Sequence, residues 1–183
     1  MSEKRIGILL ADGFEEIEAI TPIDLLRRGN VIVEVIGVTG NVVTGSHDIP
    51  VGTDMLIEDM EADDFDGIIV PGGMPGAVNL SQSPRAAQVI RDMWSQGKLV
   101  AAICAAPAVV LAPLGILDGK KATCYPGIES RAPEIPFLKE PVVADGNLIT
   151  AQGPGKAAGF SLAVLEALTD AETARQVKEK SLF

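Results

Sequence analysis

The stretch Lys98–Gly115, KLVAAICAAPAVVLAPLG, decides how this chain is read. Its first half, LVAAI, is apolar at every position, the pattern of a strand covered on both faces in a parallel sheet. Its second half is a run of small and aliphatic residues suited to a helix, and only Cys104 separates the two. A strand that turns at once into a helix holds its corner residue above the sheet edge. That needs small neighbours, and Ala105, Ala106 and Pro107 provide them. A helix opening directly after Cys104 would aim unpaired N–H groups and its positive end at the sulfur, favouring thiolate and lowering the thiol pKa. The Ala105 N–H then lies where an oxyanion needs a donor. Free cysteine is also among the most buried residue types, so inert core packing is the competing reading.

The same alternation runs outward from this corner. RIGILLA, EEIEAITPIDLLRRG, VIVEVIGV, DGIIVPGG, SPRAAQVIRDMWSQG, KKATCY, NLITAQ and GKAAGFSLAVLEALTD read as strands and helices in βαβ rhythm. An insertion of hairpin character occupies residues 41–60, and AETARQVKEKS reads as a solvated C-terminal helix. Runs such as IGILL, GIIV and LVAAI predict an α/β fold, a doubly wound, mostly parallel sheet with helices on both faces. With 183 residues and no linker or internal repeat, one domain over residues 1–183 is expected.

Apolar residues make up 47% and charged residues 22%, which excludes a disordered chain. A net charge of −10 with no basic cluster to offset it argues against nucleic-acid and anionic membrane partners. The apolar run before Asp12 is too short for a signal-peptide core, so a cytoplasmic protein is expected. Two cysteines, Cys104 and Cys124, make no disulfide framework, and a single histidine, His47, makes no zinc ligand set. No metal and no cofactor are expected.

In such a sheet the ligand crevice lies beyond the carboxyl ends of the strands, which directs attention to ADGFEEIE, VPGGMPGAVN, ICAAP and AQGPGK. GGMPG matches neither nucleotide-binding glycine pattern, and ADGFEEIE would repel a phosphate. The consecutive glycines Gly72 and Gly73 let backbone N–H groups approach a ligand, and Gly73 could complete an oxyanion site with Ala105; otherwise they merely turn the chain. No histidine follows Cys104, which excludes a Cys-His-Asp triad in the usual chain order. His47, in TGSHDIP, reads as a solvent-facing residue. Carboxylates remain as bases. On a helical period Phe14, Ile17 and Ile20 form the buried face, Glu15 points away, and Glu16 and Glu18 lie on the flanks. Either flank glutamate, partly desolvated beside a thiol, would have its pKa raised and could donate a hydrogen bond to sulfur. Acidic residues also simply favour a helix's first turn.

Taken together, GFEEIEAITPIDLLRRG, DGIIVPGGMPGAVNL, KLVAAICAAPAVVLAPLGIL, KKATCYPG and LITAQGPG resemble the ThiJ/PfpI superfamily, in its parkinsonism-associated deglycase branch. The resemblance covers nearly the whole chain. It implies a flavodoxin-like homodimer in which the elbow cysteine, here Cys104, is close to a protonated glutamate, here Glu18. Gly73 and Ala105 match the backbone donors, and Gly153, Pro154 and Gly155 match a turn beside the pocket. It further implies glyoxalase or deglycase chemistry on methylglyoxal and its early adducts, oxidation sensing through a cysteine sulfinate, or chaperone activity, the last unsupported by any exposed apolar stretch in the sequence. Ala105 stands where the peptidase-like branch has a histidine, which argues against a protease. Tyr125 stands where animal members have a histidine, and a phenol is a poor base near neutral pH. His47 falls where the family often has an arginine reaching the partner subunit's pocket. Cys124 reads as core packing in a strand, or as a resolving thiol.

Overall fold

The computed structural model describes residues 3–183. Its central sheet contains β1 (Arg5–Leu10), β2 (Ile32–Gly37), β5 (Met55–Leu56), β6 (Gly67–Val70), β7 (Leu99–Ile103), β8 (Val142–Asp145) and β9 (Leu148–Ala151), in the order β5-β2-β1-β6-β7-β9-β8. All neighbours are parallel except the β8–β9 hairpin at one edge. Counting only the long parallel strands, the order is that of flavodoxin-like sheets, with its switch point between β1 and β6. A separate antiparallel ribbon, β3 (Val42–Thr44) with β4 (Pro50–Gly52), is the hairpin expected within residues 41–60.

The continuously apolar strands bury alternate residues on opposite faces. Ile6, Ile8 and Leu10 of β1, Ile69 of β6 and Ala101 and Ile103 of β7 join one core, with α1 (Glu16–Arg28), α4 (Ala157–Leu168) and α5 (Ala171–Lys180). Leu9, Ile68, Val70, Val100 and Ala102 join the other, with α2 (Gly76–Ser81) and α3 (Pro84–Ser95). Helix α3 starts where the sequence is built to start it: Ser83 accepts a hydrogen bond from the Ala86 N–H at 3.2 Å, and Pro84 occupies the first turn, where no N–H is needed. Asp170 caps α5 in the same way, accepting from the Thr173 N–H at 2.8 Å.

Three local expectations are corrected. KKATCY is not a strand: β9 already has β7 on one side and β8 on the other, so no ladder is free. The segment is instead held by side chains, the Thr123 N–H donating to Thr150 Oγ1 at 2.9 Å and Thr123 Oγ1 to the Leu138 carbonyl at 2.8 Å. The helix after Cys104 is short and irregular, a wide π turn over Pro107–Leu111 running into a 3₁₀ turn over Ala112–Leu114 and ending on left-handed Gly115. Pro113 lacks the N–H that would extend it. In α1, Ile17 and Ile20 are exposed while Glu16 and Glu18 are buried. The helix begins at Glu16, so Phe14 belongs to the preceding turn and does not set its phase; the inward side is Glu18, Ala19, Pro22, Ile23, Leu25 and Leu26. Among the described residues no helix is long and apolar enough to cross a membrane.

Candidate active site

Three loops leaving β1, β6 and β7 meet beyond the carboxyl edge of the sheet. They are stitched by backbone bonds: the Glu15 N–H donates to the Gly72 carbonyl at 3.1 Å and the Gly76 N–H to the Gly13 carbonyl at 3.1 Å. This close approach is what Gly72 and Gly73 permit. A Cβ on Gly73, whose φ is 89°, would collide with the Glu15 nitrogen, and one on Gly72 would lie 2.6 Å from Cys104 Cβ and 2.7 Å from Glu18 Oε2.

Cys104 occupies the elbow with φ 64°, a left-handed conformation that costs a side chain about 1–2 kcal/mol. Its backbone is held from both sides, the Cys104 N–H donating to the Ala151 carbonyl at 2.9 Å and its own carbonyl accepting from the Tyr125 N–H at 2.8 Å. The Cys104 side chain is half-buried, and the backbone N–H groups of Gly73 and Ala105 are close enough to favour its thiolate. Glu18, from the first turns of α1, is fully buried beside it. Glu18 Oε2 accepts the Gly72 N–H at 2.9 Å, whereas Oε1 has no conventional hydrogen-bond partner among the described residues and interacts with the Cys104 thiol. Gly153 and the Tyr125 ring close the far side: a Cβ on Gly153 would lie 3.0 Å from that ring and 4.0 Å from Glu18 Oε1. A cleft of about 250 Å³ next to them is lined by Tyr125, Pro126, Gln152, Gly153, Pro154 and Lys156. Gly155 borders this cleft too, and a Cβ there would meet no neighbouring atom.

Burial raises Glu18 from 4.5 to about 7, with the nearby Glu15 adding and the neighbouring Cys104 thiol and the Gly72 N–H opposing. Burial also pushes the Cys104 thiol up to about 12, reinforced by the neighbouring Glu18 carboxylate and resisted by the Gly73 and Ala105 N–H groups. The expected low thiol pKa is therefore corrected. Two or three irregular turns do not outweigh desolvation beside a carboxylate, and the resting thiol keeps its proton. Glu18, not the helix end, is the group poised to take it.

Glu16, which the sequence could not separate from Glu18, has a different task. Its Oε1 accepts the His47 N–H at 2.7 Å and its Oε2 lies 2.8 Å from His47 Nδ1, clamping the β3–β4 ribbon over the start of α1. Burial alone would raise its pKa, but these bonds hold it at about 2, and in return Glu16 raises that of His47. Within one chain His47 thus serves Glu16 and makes no bond to Glu18 or Cys104. Sequence reasoning missed this clamp; the polar GSH turn was its only trace. Glu15, Glu16 and His47 bring ligand-type atoms within 4.8 Å of one another, a grouping that a count of histidines did not anticipate. Cys124 is buried, in keeping with core packing, although in an irregular segment; burial and then Glu129 raise its thiol to about 12.

Residues 4–167 match the model of the DJ-1/PfpI family. The chain belongs to the DJ-1/PfpI family. Within it, the chain is 38% identical over 183 residues to the Parkinson disease protein 7 homolog of Danio rerio, covering 97% of this chain and 96% of that one. It is 35% identical over 154 residues to a protein of Pyrococcus abyssi named as a deglycase, covering 82% and 91%. Oxidized DJ-1 of Toxoplasma gondii superposes with a TM-score of 0.94 at 36% identity over 98% of both chains. The DJ-1 branch and its flavodoxin-like fold, implied by the sequence motifs, are thereby shown.

Proposed function

We propose that the protein is a cofactor-independent, cysteine-dependent glyoxalase or deglycase acting on methylglyoxal-type 2-oxoaldehydes or their early adducts. The observation that carries this reading is the pairing of the Cys104 thiol with a buried, otherwise unpartnered Glu18 oxygen under two backbone N–H groups. The naming of the Pyrococcus relative as a deglycase agrees with it.

Glu18 carboxylate takes the thiol proton as sulfur adds to the aldehyde carbon, giving a hemithioacetal whose oxyanion is met by the Gly73 and Ala105 N–H groups. Glu18 passes the thiol proton to that oxyanion, forming the hemithioacetal hydroxyl, and is a carboxylate again. It then takes the proton from the former aldehyde carbon and returns it to the neighbouring carbonyl carbon while the hydroxyl proton passes from the first oxygen to the second, converting the hemithioacetal to a thioester of a 2-hydroxy acid. Water cleaves the thioester, releasing lactate from methylglyoxal and restoring the thiol. A base with pKa about 7 is matched to both proton transfers. Tyr125, Gly153 and Pro154 enclose the substrate. Rapid quenching with mass spectrometry tests the scheme: a lactoyl group on the Cys104 peptide is expected, and its location elsewhere would refute it.

A second reading, oxidation sensing, is favoured by the same Oε1: protonated Glu18 can donate to a Cys104 sulfinate and arrest oxidation there. Peroxide should then oxidise Cys104 before Cys124, and the reverse order in peptide mass spectra would remove this reading. Ile17 and Ile20 of α1 and Ile49, which precedes β4, are exposed apolar side chains. We assign these side chains to a homodimer rather than to chaperone activity; an equilibrium sedimentation mass of one chain would contradict that. A cytoplasmic location is part of the same proposal.

A further inference from the structure

A second cleft, of about 680 Å³, opens beside the candidate active site. Its floor and walls are Ile135, Phe137, Leu138, Pro126 and the Cys124 side chain, and Ser130 and Lys139 stand at its rim. That volume suits a drug-sized group, far more than a 2-oxoaldehyde fills. Pro126 and Gln152 line both this cleft and the smaller one beside Tyr125 and Gly153, so the two lie on either side of a shared wall. Lys139 is exposed, and no carboxylate among the described residues lies within ion-pair distance of it. Glu129, the one acidic side chain in the lining, already accepts the Gly127 N–H. Lys139 is the one cationic side chain in the lining.

We infer that this cleft is a leaving-group subsite: it receives the amine carrier of an early 2-oxoaldehyde adduct when that carrier has an apolar side chain and a carboxylate. The inference rests on the catalytic reading above. The adduct's carbinolamine lies toward Cys104, the carrier's apolar group enters between Ile135, Phe137 and Leu138, and its carboxylate meets Lys139. The C–N bond breaks as the carbinol hydroxyl proton passes to nitrogen, freeing the amine and regenerating the aldehyde. Cys104 sulfur then adds to it. Free methylglyoxal uses none of the cleft, so the subsite sets preference for adducts over the free aldehyde.

Methylglyoxal adducts of phenylalanine, glycine and phenethylamine separate the two contributions. For wild type, kcat/KM relative to free methylglyoxal is expected to be about tenfold higher for the phenylalanine adduct than for the glycine adduct, from burial of the ring. It should be about threefold higher than for the phenethylamine adduct, as suits one exposed ion pair. Ser130→Trp, which lays an indole across the rim, should abolish the first ratio, and Lys139→Glu the second. Ratios unchanged in both variants would overturn the subsite. Binding is read independently of turnover by titrating N-acetylphenylalanine into isotopically labelled Cys104→Ser protein. Amide shifts at Ile135 and Leu138 are expected. Their absence with turnover intact overturns the subsite alone, whereas shifts there with no turnover of aldehyde or adduct overturn the catalytic reading and the leaving-group role with it.

Discussion

Replacing Glu18 by glutamine should make the protein more stable while disabling it, and the gain should depend on pH. Glutamine retains an oxygen for the Gly72 N–H but carries no charge into the buried site. In the folded protein Glu18 titrates at about 7 rather than 4.5, and it has no exposed surface through which solvent could soften that shift. Below 4.5 the carboxyl is protonated in folded and unfolded chains alike. Between 4.5 and about 7 the unfolded chain releases the proton and the folded one keeps it, so wild-type stability falls by up to about 1.4 kcal/mol per pH unit. Above about 7 the whole loss, about 3 kcal/mol, is in place. Cys104 stays protonated throughout this window and adds no slope. Urea unfolding of both proteins from about pH 4 to about pH 8 should therefore show curves that diverge toward Glu18→Gln by about 3 kcal/mol with unchanged m-values. Activity should drop by about 10²–10⁴. A stability difference that does not vary with pH would refute a raised Glu18 pKa and the general-base role built on it.

Wild-type kcat/KM should rise with pH through an inflection near 7 and then level, reporting Glu18 ionisation; a profile flat across that range would mean another base. Gly72→Ala places a methyl group 2.6 Å from Cys104 Cβ and 2.7 Å from Glu18 Oε2, and should cost about 1–3 kcal/mol in urea unfolding together with most of the activity. At φ 64° the elbow reverses the usual ranking, so Cys104→Gly should be more stable than Cys104→Ala by about 1 kcal/mol by chemical denaturation. His47→Ala should lower the melting temperature chiefly between pH about 4.5 and the raised pKa of His47. Glu16 supports the clamp above 4.5 and loses it toward about 2, whereas His47 loses its share as pH rises through its folded pKa.

The sheet was legible because strands buried on both faces, IGILL, GIIV and LVAAI, cannot be mistaken for amphipathic helices of that length, and their spacing sets the crossover connections. Cys104, Gly72 and Gly73 were legible as residues that follow strands at the crevice edge. What was not legible depends on contacts between segments far apart in the chain. The phase of α1 turned on whether Phe14 lies inside the helix, and the choice between Glu16 and Glu18 turned on which loop covers each: Gly72 from β6 for Glu18, His47 from the ribbon for Glu16. The thiol's raised pKa follows from burial, which no local pattern around ICAAP reports. The segment around Cys124 misled because its β-branched and apolar residues suit a strand, while the strand it packs against, β9, is already paired on both sides.

The central claim, that Cys104 and Glu18 together convert a 2-oxoaldehyde without a cofactor, is tested most directly by incubating purified protein with methylglyoxal in the absence of glutathione and following lactate by proton NMR. Wild type should accumulate lactate catalytically, while Cys104→Ser and Glu18→Gln, both folded by circular dichroism, should stay at the rate of buffer alone. Equal lactate formation in wild type and Cys104→Ser, or none in wild type, would contradict the account.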